Sequence, residues 1–499
     1  MTRTTTSAYV RNDALNITGL SEDGVDKFLG IPYAEPPVGN LRFAPPVAKK
    51  PWTETLDCTQ YQSAAIQNNF LVKEDVPKSE DCLYLNIWKP SDAKEGDKLP
   101  VFFWIHGGGW CFGSGSEKTY DGTRFAKEGI IVVTINYRLG TLGYLALNTL
   151  MEEYGTAGNW STLDQICALQ WVHDNIAKFG GNPDNVTVGG ESAGSFNTFA
   201  LVLSPKAKGL FQKAAMESGA ISYVCANHLN LDESIAIGKQ IAEHFGADDS
   251  KEGLEKLRKA DAMELWTLAD PNLQDILIGN PYQTYPVYDG SVLPLNNPLK
   301  AINEGNFNKD ITILMGNNDV EGVLFVHGEI SEEKFNNYIK TVFRPDSYQE
   351  VIDYYAAQTD RPILQKAMET VGMTVVTLGV VAAEDAFAKQ GKQIYVYDFN
   401  YTDSHGCPQT HAMEMPYVFG MSTSLSGQPM NDDDKKVRDV VHGYWVNFIK
   451  TGNPNGANVP EWPVYVPGEK TIKEIKPYAA TIMRPRQEII DFLSPKYFR

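Results

Sequence analysis

The run Val186-Thr187-Val188-Gly189-Gly190-Glu191-Ser192-Ala193-Gly194-Ser195 constrains this chain more than any other stretch. Its β-branched start reads as a buried strand, and Ser195 to Leu203 is apolar enough for a helix. Between them, Gly190-Glu191-Ser192-Ala193-Gly194 matches the G-x-S-x-G elbow, which presents a serine on a sharp strand-to-helix turn. A serine at the tip of a strained turn leaves no room for side chains two residues to either side. Its hydroxyl then projects from the sheet edge, and the helix N-terminus aims N–H groups at developing negative charge. The bland alternative is a chance Gly/Ser turn, which the flanking strand and helix argue against.

A second motif argues against it further. Pro100 to Ile105 is a continuous apolar run that ends in His106-Gly107-Gly108-Gly109-Trp110. Packing gives no reason for three glycines at a strand end. They let a backbone turn tightly and present N–H groups to something bound, as in the HGGG oxyanion element of lipases and esterases. A flexible surface loop would more often carry Asn, Asp or Ser.

Composition bounds the rest. The chain has 499 residues, 42% hydrophobic and 21% charged, which supplies a large core and carries no disorder signature. A net charge of −18 argues against nucleic acid and anionic membrane surfaces. The cysteines, Cys58, Cys82, Cys111, Cys167, Cys225 and Cys407, lie far apart, and no cluster has metal-ligand spacing. No cofactor or metal is expected. Neither a signal-like apolar core near Met1 nor an apolar run long enough to span a bilayer stands out. The expectation is a cytoplasmic protein, most simply a monomer, with secretion as the alternative if a leader has been removed.

Residues 80–89 alternate apolar and polar and read as a strand, and further strand-like runs recur at 100–105, 130–137, 186–188, 213–216, 311–315 and 393–399. Leu163 to Phe179 has helical periodicity, with Ser161 or Thr162 as its cap and Gly180-Gly181 as its stop. Strands alternating with helices predict a mostly parallel sheet wrapped by helices. Residues 228–270 and 330–390 read as helical cap insertions over the sheet's C-terminal edge. Length suggests roughly three domains. The long span of chemistry-bearing motifs argues instead for one catalytic unit over residues 1–499.

These motifs, with FLGIPYAEPPVGNLRF (28–43), EDCLYLNIW (80–88), NYRLGTLGYL (136–145), EGVLF (321–325), HAMEMPYVFG (411–420) and TGNPN (451–455), extend over nearly the whole chain. On them the sequence resembles the type-B carboxylesterase/cholinesterase family of α/β-hydrolases, its bacterial p-nitrobenzyl-esterase-like members in particular. The resemblance implies an α/β-hydrolase fold with a gorge leading to the serine. It implies a triad of Ser192, Glu321 and His411, with oxyanion N–H groups from Gly108, Gly109 and Ala193. It also implies internal ion pairs Arg42–Glu80 and Arg138–Asp164, a supporting hydrogen-bonder at Ser218, and a carboxylate beside the nucleophile at Glu191. Glu191 is equally readable as a residue that merely fills the elbow.

Two assignments have competitors. Asp319 lies two residues before Glu321, and Val320 stands where the family often has Asp. The family's acid immediately precedes a glycine, which favours Glu321. His405, in a His-Gly pair, competes with His411, but Glu414 and Tyr417–Phe419 follow His411 in the family's register. The family's early disulfide departs as well: Ala65 holds the position of its first cysteine while Cys82 is kept, so the usual bridge cannot form, a Cys58–Cys82 bridge stays open, and the departure leans towards a reducing compartment.

The expected function is hydrolysis of carboxylic esters of small or medium acyl chains through an acyl-enzyme. One alternative is a catalytically inactive adhesion or binding module of the same fold; such modules lose the elbow serine, which this chain keeps. Another is a specialised lipase, toxin- or drug-ester hydrolase or amidase on the same scaffold. An unperturbed histidine base predicts activity rising with pH through ~6.5.

Overall fold

The computed structural model describes residues 5–11, 15–221, 231–270, 276–295, 297–476 and 479–498. Cys225 and residues 228–230 of the first expected insertion lie outside these. The strands are β1 (Thr6–Arg11), β2 (Asn16–Glu22), β3 (Val25–Pro32), β4 (Leu56–Asp57), β5 (Tyr84–Pro90), β6 (Leu99–Ile105) and β7 (Ile131–Ile135). They continue with β8 (Gly181–Glu191), β9 (Lys213–Glu217), β10 (Thr312–Asn318), β11 (Ile394–Phe399), β12 (Thr471–Ile475) and β13 (Ala480–Met483). They form one sheet ordered β1-β2-β3-β5-β7-β6-β8-β9-β10-β11-β12-β13, with β4 beside β2. From β7 to β12 the pairing is parallel, and antiparallel strands close both edges.

Parallel strands covered on both faces read as continuous apolar runs, and β6 shows how. Val101, Phe103 and Ile105 pack with Leu169, Val172, Leu201 and Phe387 on one side. Phe102 and Trp104 pack with Tyr397, Trp445 and Phe448 on the other. The second layer is carried by the 20-residue helix Asp432–Thr451, which Asn431 opens with a capping box and Gly452 closes in the left-handed region.

The expected helix at 163–179 begins earlier, at Trp160, and runs to Asn175 before a 3₁₀ turn over Ile176–Phe179. Neither Ser161 nor Thr162 is its cap. Asn159 holds that place, and its amide is bonded to the backbone of Val287 instead. Gly180 ends the 3₁₀ turn at φ 92°, but Gly181 already starts β8. The insertions are helical where described: Leu231–His244, Lys251–Arg258 and Ala262–Leu268, then Glu332–Val342, Tyr348–Ala356 and Ile363–Lys389.

Ile363–Lys389 is the one described helical stretch long and apolar enough to cross a membrane, yet Val376, Val380 and Phe387 pack into the core beneath the sheet. Buried ion pairs tie the covering segments down: Arg42 to Glu80 (2.5 Å) and Arg138 to Asp164 (2.7 Å). Arg42 also donates to the carbonyls of Leu257 and Ala260, which fastens the first insertion to the N-terminal loop.

Truncating Phe448, which has no exposed surface, is expected to cost about 3–5 kcal/mol. A lowered thermal midpoint for Phe448→Ala checks this, with the elbow chemistry intact in the folded fraction.

Candidate active site

Parallel strands collect their following loops at one edge, where ligands of such sheets bind. Here β6 leads to Gly107–Gly109, β8 to Ser192, β9 to Ser218, and β10 to Glu321. His411 follows β11.

Ser192 has φ 55° and ψ −125°, a conformation costly for any residue with a side chain. Its N–H donates to the carbonyl of Glu217 on the neighbouring strand (2.9 Å). The glycines follow from contact: a methyl on Gly194 would drive into the carbonyl of Ile105, and one on Gly190 into the backbone of Gly194. A methyl on Gly107 would lie 2.8 Å from the carbonyl of Glu191 and 3.2 Å from Cβ of Ser192. The glycine loop and the elbow thus touch backbone to backbone. The carbonyl of Gly108 accepts from the N–H groups of Cys111 (3.1 Å) and Phe112 (2.9 Å). The N–H groups of Gly108, Gly109 and Ala193 have no hydrogen-bonded acceptor among the described residues. Ala193 opens the helix Ala193–Leu203, so its N–H is one of the groups a helix N-terminus leaves unpaired.

Glu321 is buried and held three ways. Its Oε2 lies 2.6 Å from Nδ1 of His411. Its Oε1 accepts from the hydroxyl of Ser218 (2.7 Å) and the N–H of Asn318 (2.7 Å). With Nδ1 engaged, Nε2 of His411 is buried and has no hydrogen-bond partner; the nearest carboxylate oxygen is Oε1 of Glu191 at 3.2 Å. No hydrogen bond joins Ser192 to His411 in this structure. The two competitors are elsewhere: His405 lies at the surface with Nε2 3.0 Å from the carbonyl of Pro429, and Asp319 is paired with Arg486 at 3.0 Å. His106 is buried beneath the glycine loop and stacked on Tyr137, and burial pushes its imidazole down to about 4, so it stays neutral.

Sequence reasoning did not single out Asn318, Glu217 or Trp445, which join Glu414 in this cluster. Asn318 donates to Oε2 of Glu414 (2.6 Å), and Trp445 donates to Oε1 of Glu217 (2.7 Å). The available signal was a carboxylate ending an apolar strand, Glu217 after Lys213-Ala-Ala-Met216. Burial raises the carboxyls of Glu191, Glu217 and Glu414 above the usual range. Burial alone would lower the His411 imidazole, but the carboxylates of Glu191 and Glu321 outweigh it and hold His411 above an ordinary histidine.

A strained serine after the central parallel strand, and an acid and a histidine joined behind it, define an α/β-hydrolase. The model of the carboxylesterase family matches residues 4–492, and the chain belongs to that family. It is 36% identical over 465 residues to the para-nitrobenzyl esterase of Bacillus subtilis (strain 168), covering 90% of this chain and 91% of that one. Carboxylesterase 1C of Rattus norvegicus is 34% identical over 503 residues, covering 92% and 87%. A solved PNB esterase aligns with TM-score 0.85 at 32% identity over 98% of this chain and 100% of its own. A carboxylesterase of Geobacillus stearothermophilus aligns with TM-score 0.82 at 34% identity over 97% and 99%.

The His411 imidazole is expected to titrate above the ordinary ~6.5. Glu191→Gln removes one of the carboxylates that raise it and is expected to move the titration down. Histidine NMR titration of both proteins checks the level and the direction.

Proposed function

We propose that this carboxylic ester hydrolase works through a covalent acyl-enzyme on Ser192, with His411 as general base and acid and Glu321 as its partner. The reading rests on one observation above all. The Glu321–His411 bond at Nδ1 leaves Nε2 buried and free of hydrogen bonds, with only the Glu191 carboxylate 3.2 Å away, and Nε2 is the nitrogen a serine hydroxyl would use. Serine is a weak nucleophile at neutral pH and needs such a base. In the first half-reaction Ser192 Oγ adds to the ester carbonyl as Nε2 takes its proton. The tetrahedral oxyanion is held by the N–H groups of Gly108, Gly109 and Ala193. Collapse breaks the ester C–O bond, and His411 returns the proton to the departing alcohol. Water then repeats the sequence on the acyl-serine, releasing the acid and freeing Ser192. Glu321 fixes the imidazole tautomer and stabilises the imidazolium throughout.

The substrates are esters of small or medium acyl chains. The unpaired, buried thiols of Cys58 and Cys82 support a reducing compartment, the cytoplasm.

Ser192→Ala is expected to lower kcat on the order of 10⁶-fold. His411→Ala is expected to cost nearly as much, because members of such a unit act together, while His405→Ala is expected to leave kcat near wild type. Steady-state assay of the three variants with a p-nitrophenyl ester tests the reading. A dead His405→Ala beside an active His411→Ala would place the base elsewhere.

The acid limb of kcat/KM is expected to sit above ~6.5, because the flanking carboxylates keep His411 protonated to higher pH. A pH–rate profile checks it; a midpoint at or below the ordinary histidine value contradicts the electrostatic account.

A further inference from the structure

The turn that carries Glu321 is gripped from behind by the C-terminal segment, and this grip has no part in the chemistry above. After β10 the chain turns through Asp319 and Val320, whose N–H groups donate to the carbonyls of Phe399 (3.1 Å) and Gln409 (3.1 Å). Arg486 closes the outer side: its guanidinium donates to the carbonyl of Asp319 and lies 3.0 Å from the Asp319 carboxylate. Both contacts come from Nη2, so one nitrogen holds the carbonyl and the carboxylate of the same residue. Arg486 itself sits in the left-handed region at φ 56°, which a non-glycine residue holds only when its surroundings over-determine it.

The inner side of the turn rests on the helical stretch Ile363–Lys389. A methyl on Gly322 would run into the carbonyl of Met368, and one on Gly372 would lie 2.7 Å from the backbone nitrogen of Gly322. The stretch contains a π-helical turn over Met373–Thr377, the kind of irregularity that recurs at functional sites. Tyr497, at the end of the C-terminal helix Gln487–Tyr497, donates its hydroxyl to the carbonyl of Thr374 in that turn (2.6 Å). Arg484 is paired with the buried Glu384 of the same stretch. One segment, Arg484 to Tyr497, therefore holds the Glu321 turn at Asp319 and also holds the helix on which the turn is seated.

We infer that Arg486 is a positioning residue for ester hydrolysis: through Asp319 it fixes the turn that aims the Glu321 carboxylate at His411. The inference rests on Glu321 being the partner of the base. Charge agrees with the geometry. Asp398, across the β10–β11 pairing from Asn317, is buried with its carboxyl pushed up to about 7, first by burial and then by Asp319. Arg484 and Arg486 supply the opposing positive charge. Without the Arg486 guanidinium, Asp319 and Asp398 repel across the back of the turn and the Asp319 carbonyl loses its donor.

Arg486→Met, Arg486→Lys and Glu321→Gln decide the matter, with kcat, KM, the pH profile and the thermal midpoint measured for each. Misplacing a catalytic group by about 1 Å costs up to about 10²-fold, so Arg486→Met is expected to lower kcat about 10- to 100-fold with KM little changed. Its acid limb moves down towards an ordinary histidine, because His411 loses part of its pairing with Glu321. Arg486→Lys, which keeps the charge on a shorter donor, is expected to recover part of kcat. An Arg486→Met protein with a lowered thermal midpoint but wild-type kcat and acid limb would make Arg486 a structural residue only and overturn the inference. If that variant does not fold, Asp319→Asn takes its place: it keeps the turn's shape, removes the anchoring charge, and is expected to lower kcat severalfold, while unchanged kcat overturns the inference. Wild-type kcat in Glu321→Gln would instead defeat the reading of Glu321 itself, a different failure from that of the brace.

Discussion

The close approach of Gly194 to the end of β6 is the contact on which the site depends. Parallel pairing of β6 with β8 places the carbonyl of Ile105 where a side chain on Gly194 would have to go. The helix after Ser192 can begin only because that side chain is missing. The same approach presses Gly107 against the backbone of Glu191 and brings the glycine loop within van der Waals reach of Cβ of Ser192. Two motifs far apart in sequence thus become one surface, with the serine and the unpaired N–H groups side by side. The conformation of Ser192 costs about 1–3 kcal/mol, as strained backbone generally does, and the strands on either side hold it. Strain and preorganisation are the same feature here: the donors need no rearrangement when an oxyanion forms.

Electrostatics set the second condition. One imidazole stands among the buried carboxyls of Glu191, Glu217, Glu321 and Glu414. In a low-dielectric interior, carboxyls this crowded cannot all stay charged at once, so burial and mutual repulsion raise most of them. Glu321 is the one that three donors surround: the Ser218 hydroxyl, the Asn318 N–H and the His411 ring. Those bonds hold its carboxyl in one orientation and give the imidazole a fixed partner. Glu191, 3.2 Å from Nε2, and Glu414 add their charge to that of Glu321, which is why His411 lies above a simple histidine.

The strands of the sheet's centre were legible because each is a continuous apolar run, and the elbow and glycine loop because their glycines have no packing explanation. The helix Asp432–Thr451 was missed, although Asn431 with Asp434, the apolar Val437, Val441, Trp445 and Phe448, and Gly452 form a complete start, stripe and stop. The start of the helix at Trp160 was misplaced because Asn159, a good cap by type, is drawn away to Val287, a partner no local pattern reveals. The same limit hides Glu217, Asn318 and Arg486. Each acts through a residue from a distant strand or helix, and only the order of strands in the sheet brings them together. Only the glycine after Glu321 separates it from Asp319 in sequence; the fold separates them further by turning one towards Arg486 and the other towards His411.

The central claim is that the acyl group passes through Ser192, and trapping it is the most direct test. Mixing the enzyme with excess p-nitrophenyl ester and quenching in acid within the first turnover should leave one acyl group per chain. Peptide mass spectrometry should find it on the fragment containing Gly190-Glu191-Ser192-Ala193-Gly194. An acyl group on any other residue, in enzyme that turns the ester over normally, would contradict the account.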